Sequence, residues 1–206
     1  MIKTTFRIGT LFGASLLSLF STAVRADNSF QSAAPTVSFI GSGCPQGDSG
    51  TNVRWDGSRL HLNFSGMVTQ RGDGVPLTES RKTCSITISM NLPAGYTYSL
   101  GSFEARGNEA LQAEETRTVT VTNFFEGQGA TSTQSVSANG PSAKNFVAGH
   151  TYTGAESLWS PCDAQRAETV TVALRIGADI RSCLANGSVA TLDSIQLPVR
   201  IKACGS

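Results

Sequence analysis

Apolar and polar residues alternate over most of the chain after residue 35, and a period of two marks half-buried antiparallel strands. Cys84, Ile86, Ile88, Met90 and Leu92 share one parity, against Thr83, Ser85, Thr87, Ser89 and Asn91 on the other. The same alternation sets Leu60, Leu62 and Phe64 against Arg59, His61 and Asn63, and lines up Val170, Val172, Leu174 and Ile176. Val37 and Phe39 mark a first strand at Thr36–Ile40. Thr51–Trp55 and Arg59–Phe64 are joined by Asp56-Gly57, a strong hairpin signal. Further strands are expected over Tyr96–Ala105, Thr116–Phe125, Phe146–Tyr152, Val189–Leu197 and Val199–Ala203, with another ending at Leu158–Cys162. Between them, Met67–Arg81 reads as a polar loop. Pro93-Ala94-Gly95, Asn139-Gly140-Pro141 and Asn186-Gly187 read as turns. Gly127–Ser137 is either a loop or an exposed strand pair, and Leu111–Glu115 is the one candidate helical turn. About ten short strands with turns between them predict an all-β fold. The expected form is an antiparallel β-sandwich, jelly-roll or immunoglobulin-like, with a closed barrel second.

The first residues change the picture of where this fold resides. Lys3 and Arg7 precede an apolar run from Ile8 to Phe20, which is short for a membrane span, and Val24-Arg25-Ala26 fits a cleavage site. Residues 1–26 are therefore expected to be a signal peptide, leaving residues 27–206 as a single domain. No cysteine follows the cleavage point until Cys44, which speaks against a lipid anchor, and no later stretch suits a transmembrane helix. The expected location is outside the cell, or the periplasm of a Gram-negative source. The leader holds three of the 16 basic residues and none of the 15 acids, so the mature charge is thirteen minus fifteen, or −2. With no basic run, a nucleic-acid or anionic-membrane partner is not expected.

All five cysteines (Cys44, Cys84, Cys162, Cys183 and Cys204) follow the leader, and in an oxidising compartment they predict disulfides. Their spacing contains no CxxC, which weakens zinc and redox-motif readings; no metal and no cofactor are expected. Two bridges among five cysteines allow fifteen arrangements, and spacing does not choose among them. Cys84 shares the inward parity of its strand.

Candidate chemistry is sparse. A Ser–His–Asp site would need His61 or His150, and the plainer account is two solvated surface histidines. There is no Gly-x-Ser-x-Gly or His-Glu-x-x-His. A glycosidase needs two carboxylates flanking a cleft; Glu104, Glu109, Glu114, Glu115 and Asp163 are available, with solvated carboxylates the plainer account. Gly47-Asp48 and Gly72-Asp73 bring one carboxylate each, too few for calcium. Arg71-Gly72-Asp73 spells a cell-attachment tripeptide within ordinary turn chemistry. Asn63-Phe64-Ser65 and Asn186-Gly187-Ser188 are glycosylation sequons. Trp55 and Trp159 suit stacking on a sugar ring. For Trp159, packing against a buried disulfide at Cys162 is the favoured account, while Trp55 is balanced between core and surface. Trp55, Arg71 and Asp73 are the expected ligand contacts.

Five motifs occur in order: Gly41-Ser42-Gly43-Cys44-Pro45, Arg81-Lys82-Thr83-Cys84, Leu92-Pro93-Ala94-Gly95-Tyr96-Thr97-Tyr98, Gly140-Pro141 and Trp159-Ser160-Pro161-Cys162. Together they resemble the secreted domain-of-unknown-function family 4360, small exported single-domain proteins of fungi and bacteria. The resemblance covers nearly all of the mature chain and brings no activity and no catalytic residue. It implies bridges Cys44–Cys84 and Cys162–Cys204, with Cys183 a free thiol; a Cys183–Cys204 bridge is the alternative. Each implied closure is worth about 4 kcal/mol by loop entropy. The expected function is an exported, non-enzymatic binding or structural module for an extracellular ligand, carbohydrate or protein. The alternative is a secreted hydrolase or carbohydrate-binding protein acting on polysaccharide, and a third reading is an inhibitor or host-interaction role through Met67–Arg81.

Overall fold

The computed structural model describes residues 33–162, 164–178 and 187–205. Among these residues the predicted alternation folds into twelve strands: β1 (Thr36–Ile40), β2 (Asn52–Trp55), β3 (Arg59–Asn63), β4 (Val68–Arg71), β5 (Arg81–Ser89) and β6 (Tyr96–Leu100). They continue with β7 (Ser102–Leu111), β8 (Glu115–Phe125), β9 (Thr131–Asn139), β10 (Ser142–Thr151), β11 (Glu168–Ala178) and β12 (Ser188–Ala203). Two antiparallel sheets result. The five-stranded sheet runs β1-β5-β11-β8-β9, and the seven-stranded sheet runs β10-β7-β12-β3-β2, with β4 and β6 also on β12. The fold is an all-β sandwich.

Each sheet turns one parity inward. Ile86 and Ile88 of β5, Val119 and Val121 of β8, and Val170, Val172, Leu174 and Ile176 of β11 face Leu60, Leu62, Leu192, Ile195 and Leu197 across the core, all essentially buried. β12 organises the larger sheet because it is long enough to pair in relay, with β7 then β6 on one edge and β4 then β3 on the other. A bulge between Leu192 and Ser194 lets it keep an apolar inner face. Before the bulge Ala190 and Leu192 point in; after it Ile195 and Leu197 do. Val189–Ala203, expected as two strands, is thus one bulged strand.

Several expectations are corrected. Met67–Arg81 is not a plain polar loop: Met67 is buried, β4 pairs with β12, and a 3-10 turn occupies Leu77–Ser80. No helical turn forms at Leu111–Glu115. β7 and β8 are joined there by a tight turn, with Glu114 at φ 66° and the Glu115 N–H donating to the Gln112 carbonyl. Gly101 divides the expected Tyr96–Ala105 strand into β6 and β7. Leu158–Cys162 does not end a strand but forms an irregular segment.

The disulfides join Cys44 to Cys84 and Cys162 to Cys204, the pairing the family resemblance implies. Cys44 and Cys84 are fully buried, tying the Gly41–Cys44 loop to β5. Cys162 is exposed, so the second bridge is a surface clasp. Cys183, like the leader, Asp163 and Asn186, lies outside the described residues.

Candidate functional site: an end cleft clasped by Ser160

At the end of the sandwich where β5 finishes and β6 and β11 begin, a cleft of about 150 Å³ opens. Met90 and Leu92, continuing the inward parity of β5, and the Tyr98 ring give it an apolar floor. Tyr96, Pro161, Gln165 and Arg166 form the rim. A volume near 150 Å³ holds about one six-membered ring.

The irregular wall is fixed by Ser160. Its N–H donates to the Tyr98 carbonyl at 2.8 Å, its Oγ accepts from the Tyr98 N–H at 3.0 Å, and its carbonyl accepts from Thr97 Oγ1 at 2.6 Å. One buried serine therefore supplies the pairing that a strand neighbour would give to β6. The Cys162–Cys204 bridge and a Cys204 N–H bond to the Gly95 carbonyl close the same wall. Gln165 Nε2 donates to the Leu92 carbonyl, and Arg166 Nη1 donates to the Glu126 carbonyl at 3.2 Å. A wall held this way loses little conformational freedom on binding.

Behind Tyr98 lies a buried carboxyl. Glu168, at the start of β11, is fully buried, and its Oε1 accepts from Asn123 Nδ2 at 2.8 Å while Oε2 has no partner. Burial raises its pKa to about 8 against the opposing Asn123 bond, so it is a neutral acid at pH 7. Burial, and the Glu168 charge once that acid ionises, push the Tyr98 phenol up. Burial, the Glu168 charge once that acid ionises, and the Glu156 charge together raise the Tyr152 phenol to about 12. Tyr98 stacks edge-on against Phe125 at 5.2 Å and donates to the Arg166 carbonyl at 3.4 Å, which separates Glu168 from the cleft lining.

The sequence-expected contacts do not gather here. Trp55 ends β2 and is half-buried, with a buried Nε1 that lacks a partner. Arg71 ends β4 and its Nε lies 3.2 Å from Glu115, so the arginine of Arg71-Gly72-Asp73 is engaged inside the fold while Asp73 is exposed. Trp55 pairs through Leu60 toward Leu197 of β12, whereas Arg71 pairs with Ser188. About nine residues of strand put them on the order of 30 Å apart. Trp159 does not pack on a buried disulfide, since Cys162 is exposed. Lys202 Nζ lies 4.4 Å and the Arg200 guanidinium carbon 5.4 Å from its ring centroid, an arrangement suited to cation–π attraction.

The carboxylates are also redistributed. Glu109 and Glu115 are buried, contrary to the solvated expectation: Arg117 Nε meets Glu109 Oε2 at 2.7 Å, and Arg71 meets Glu115. Glu104 pairs with Arg106 on the outer face of β7, and Glu114 sits on an exposed turn. His61 binds Asp56 at 2.7 Å and His150 binds Glu156 at 3.3 Å; neither hydrogen-bonds a hydroxyl. Among the described residues no group of three His, Cys, Asp or Glu could hold a metal, and no helix is long and apolar enough to cross a membrane.

Fold and site together define a disulfide-braced β-sandwich with a preorganised end cleft. The chain belongs to the family named Domain of unknown function (DUF4360), whose model matches residues 33–204. An uncharacterized secreted protein of Arthroderma benhamiae is 30% identical over 171 residues, spanning 82% of this chain and 70% of the relative. Among solved structures, TmCBM61 in complex with β-1,4-galactotriose is similar at 10% identity and TM-score 0.27, covering 81% of this chain and 88% of that one. The enzymatically active domain of bacteriophage CBA120 tailspike protein 4 follows at 16% identity and TM-score 0.29, covering 80% of this chain and 19% of that one. Superpositions at this level carry no information on ligand.

Proposed function

We propose that this chain is an exported, non-enzymatic binding module, with residues 1–26 as its leader, that seats one sugar ring of a carbohydrate ligand in the end cleft. The observation that carries this reading is the cleft itself. An apolar floor under a rim of tyrosine, proline, amide and guanidinium groups suits a ring with an apolar face and hydroxyl edges. Its wall is set before binding by Ser160 and the Cys162–Cys204 clasp. The two disulfides fit an oxidising compartment. The hydrolase alternative needs two carboxylates facing a cleft, and Glu104, Glu109 and Glu114 are dispersed to an outer face, the interior and a turn.

Screening residues 27–206 on a glycan array, followed by calorimetric titration of the captured glycan, tests this. Tyr96→Ala is expected to weaken binding about tenfold or more, a loss of about 1.4 kcal/mol, in protein that remains folded. The ligand is expected to be recovered intact. Cleavage of the glycan, or silence of the array, overturns the reading.

A further inference from the structure

At the opposite ends of β5 and β11 from the cleft, Arg81 and Arg175 are paired directly across the two strands. Both project from the outer face of the five-stranded sheet and are exposed. Like charges in this position destabilise a strand pair, so the arrangement costs stability unless something neutralises it. Nothing among the described residues does. Neither arginine forms an ion pair there, and the nearby Glu79 holds Lys82 Nζ at 2.8 Å instead. The outward positions of β1, β5, β8, β9 and β11 contain no Asp or Glu at all.

Those positions carry hydroxyls. Thr118 meets Ser137 at 2.9 Å, Thr120 meets Ser135 at 2.8 Å, and Thr122 meets Thr133 at 3.1 Å along β8 and β9; Ser85 meets Thr171 at 3.1 Å between β5 and β11. Arg81, Arg175, Thr118 and Ser137 lie in one row across the sheet. The hydroxyl rows therefore lead directly up to the arginines, with strands about 4.8 Å apart and same-face residues about 6.7 Å apart along each strand. Over the arginines opens a groove of about 750 Å³, lined also by Ser42, Thr78, Thr83 and the exposed side chain of Leu77.

We propose that this groove and the adjoining hydroxyl rows bind an acidic polysaccharide of the polyuronate class. One carboxylate of the polymer bridges the two guanidiniums, whose planar forks match carboxylate geometry and whose mutual repulsion it cancels. The threonine and serine rows hydrogen-bond the sugar hydroxyls on either side. An uncharged polymer leaves the arginines unneutralised, and a small free anion leaves the hydroxyl rows unused. The site is independent of the end cleft, since about nine residues of β5 separate Arg81 from Met90, on the order of 30 Å.

Calorimetric titration of residues 27–206 with polygalacturonate, its fully methyl-esterified form and sodium phosphate tests the site. Polygalacturonate is expected to bind at least tenfold more tightly than the ester and to weaken as salt rises. Arg175→Gln is expected to lose tenfold or more in affinity with no loss of melting temperature, because relieving the paired charges offsets the substitution. Arg175→Lys is expected to recover only part of the affinity, since it restores charge without the fork. Equal affinity for acid and ester overturns the proposal, as does undiminished binding by Arg175→Gln. Displacement of the polymer by an equal charge concentration of phosphate also overturns it, leaving a simple anion pocket. Loss of polygalacturonate binding in Tyr96→Ala would place the polymer in the end cleft and refute this site alone.

Discussion

Replacing Arg117 with methionine is expected to lower the unfolding free energy by about 3–5 kcal/mol, the cost of leaving a buried carboxylate without its partner. Arg117 reaches from β8 in one sheet to Glu109 on β7 in the other, with its guanidinium carbon 4.0 Å from the Phe146 centroid. Ser142 Oγ donates to the second oxygen of Glu109 at 2.9 Å. Within this cluster only the Arg117 Nη1 donor is left buried and unpartnered. The pair therefore latches the two sheets at the end remote from the cleft, yet it is imperfectly satisfied. Its removal as a unit is thus expected to be cheaper than its halves: Arg117→Met with Glu109→Leu should recover most of the loss. Denaturant unfolding of both single variants and the double variant measures this as a cycle. Additive losses would show that Arg117 acts through packing rather than through Glu109.

The second large effect is a loss of stability as pH rises from about 4.5 to about 8. In the unfolded chain Glu168 releases its proton near 4.5, and in the folded chain burial holds that proton to about 8. Between those values the folded state binds the extra proton, so each rising pH unit costs about 1.4 kcal/mol. The stabilisation is complete below pH 4.5, declines above it, and is lost by about pH 8. The span amounts to roughly 5 kcal/mol, comparable with the whole stability of a small domain. Glu168→Gln removes the titration while keeping the size of the side chain and its contact with Asn123. Unfolding curves at about pH 5, 7 and 9 should show the natural chain weakening and the variant nearly flat. Parallel slopes would exclude Glu168 as the cause. Because the folded chain keeps Glu168 neutral until about pH 8, ligand affinity in the cleft should hold across this interval and respond to Glu168 only near and above that pH.

Where one strand face has to be buried, the sequence is readable. The inward parity of Ile86 and Ile88, and of Val170 to Ile176, locates β5 and β11, and Asp56-Gly57 locates the β2–β3 turn. The same rule also reaches the interior chemistry. Glu168 sits two residues before Val170, and Glu115 and Arg117 precede Val119 on its parity, so alternation alone places all three inside. Treating acids as solvated by default conceals them. Residue type misleads where parity is informative.

The cleft is much less legible, for a physical reason. Ser160 and Gln165 lie outside regular strands, and their roles depend on contacts with Tyr98 and Leu92, 62 and 73 residues away in sequence. No local pattern encodes such pairings. The cysteine pairing is likewise silent in spacing and follows from family resemblance. Arg81 and Arg175 each look like ordinary strand-edge charges, and only the antiparallel register of β5 with β11 makes them opposed. Trp55 and Arg71 are conspicuous by type, but β12 holds them apart.

The most direct measurement is a nitrogen-15 NMR titration of residues 27–206 with the glycan captured on the array. The account predicts shifts concentrated at the backbone amides of Tyr96, Tyr98, Ser160, Gln165 and Arg166, with the spectrum otherwise unchanged and the glycan intact at the end. Shifts centred on Trp55 or on Arg71-Gly72-Asp73 with these amides silent, or a shortened glycan, would contradict it.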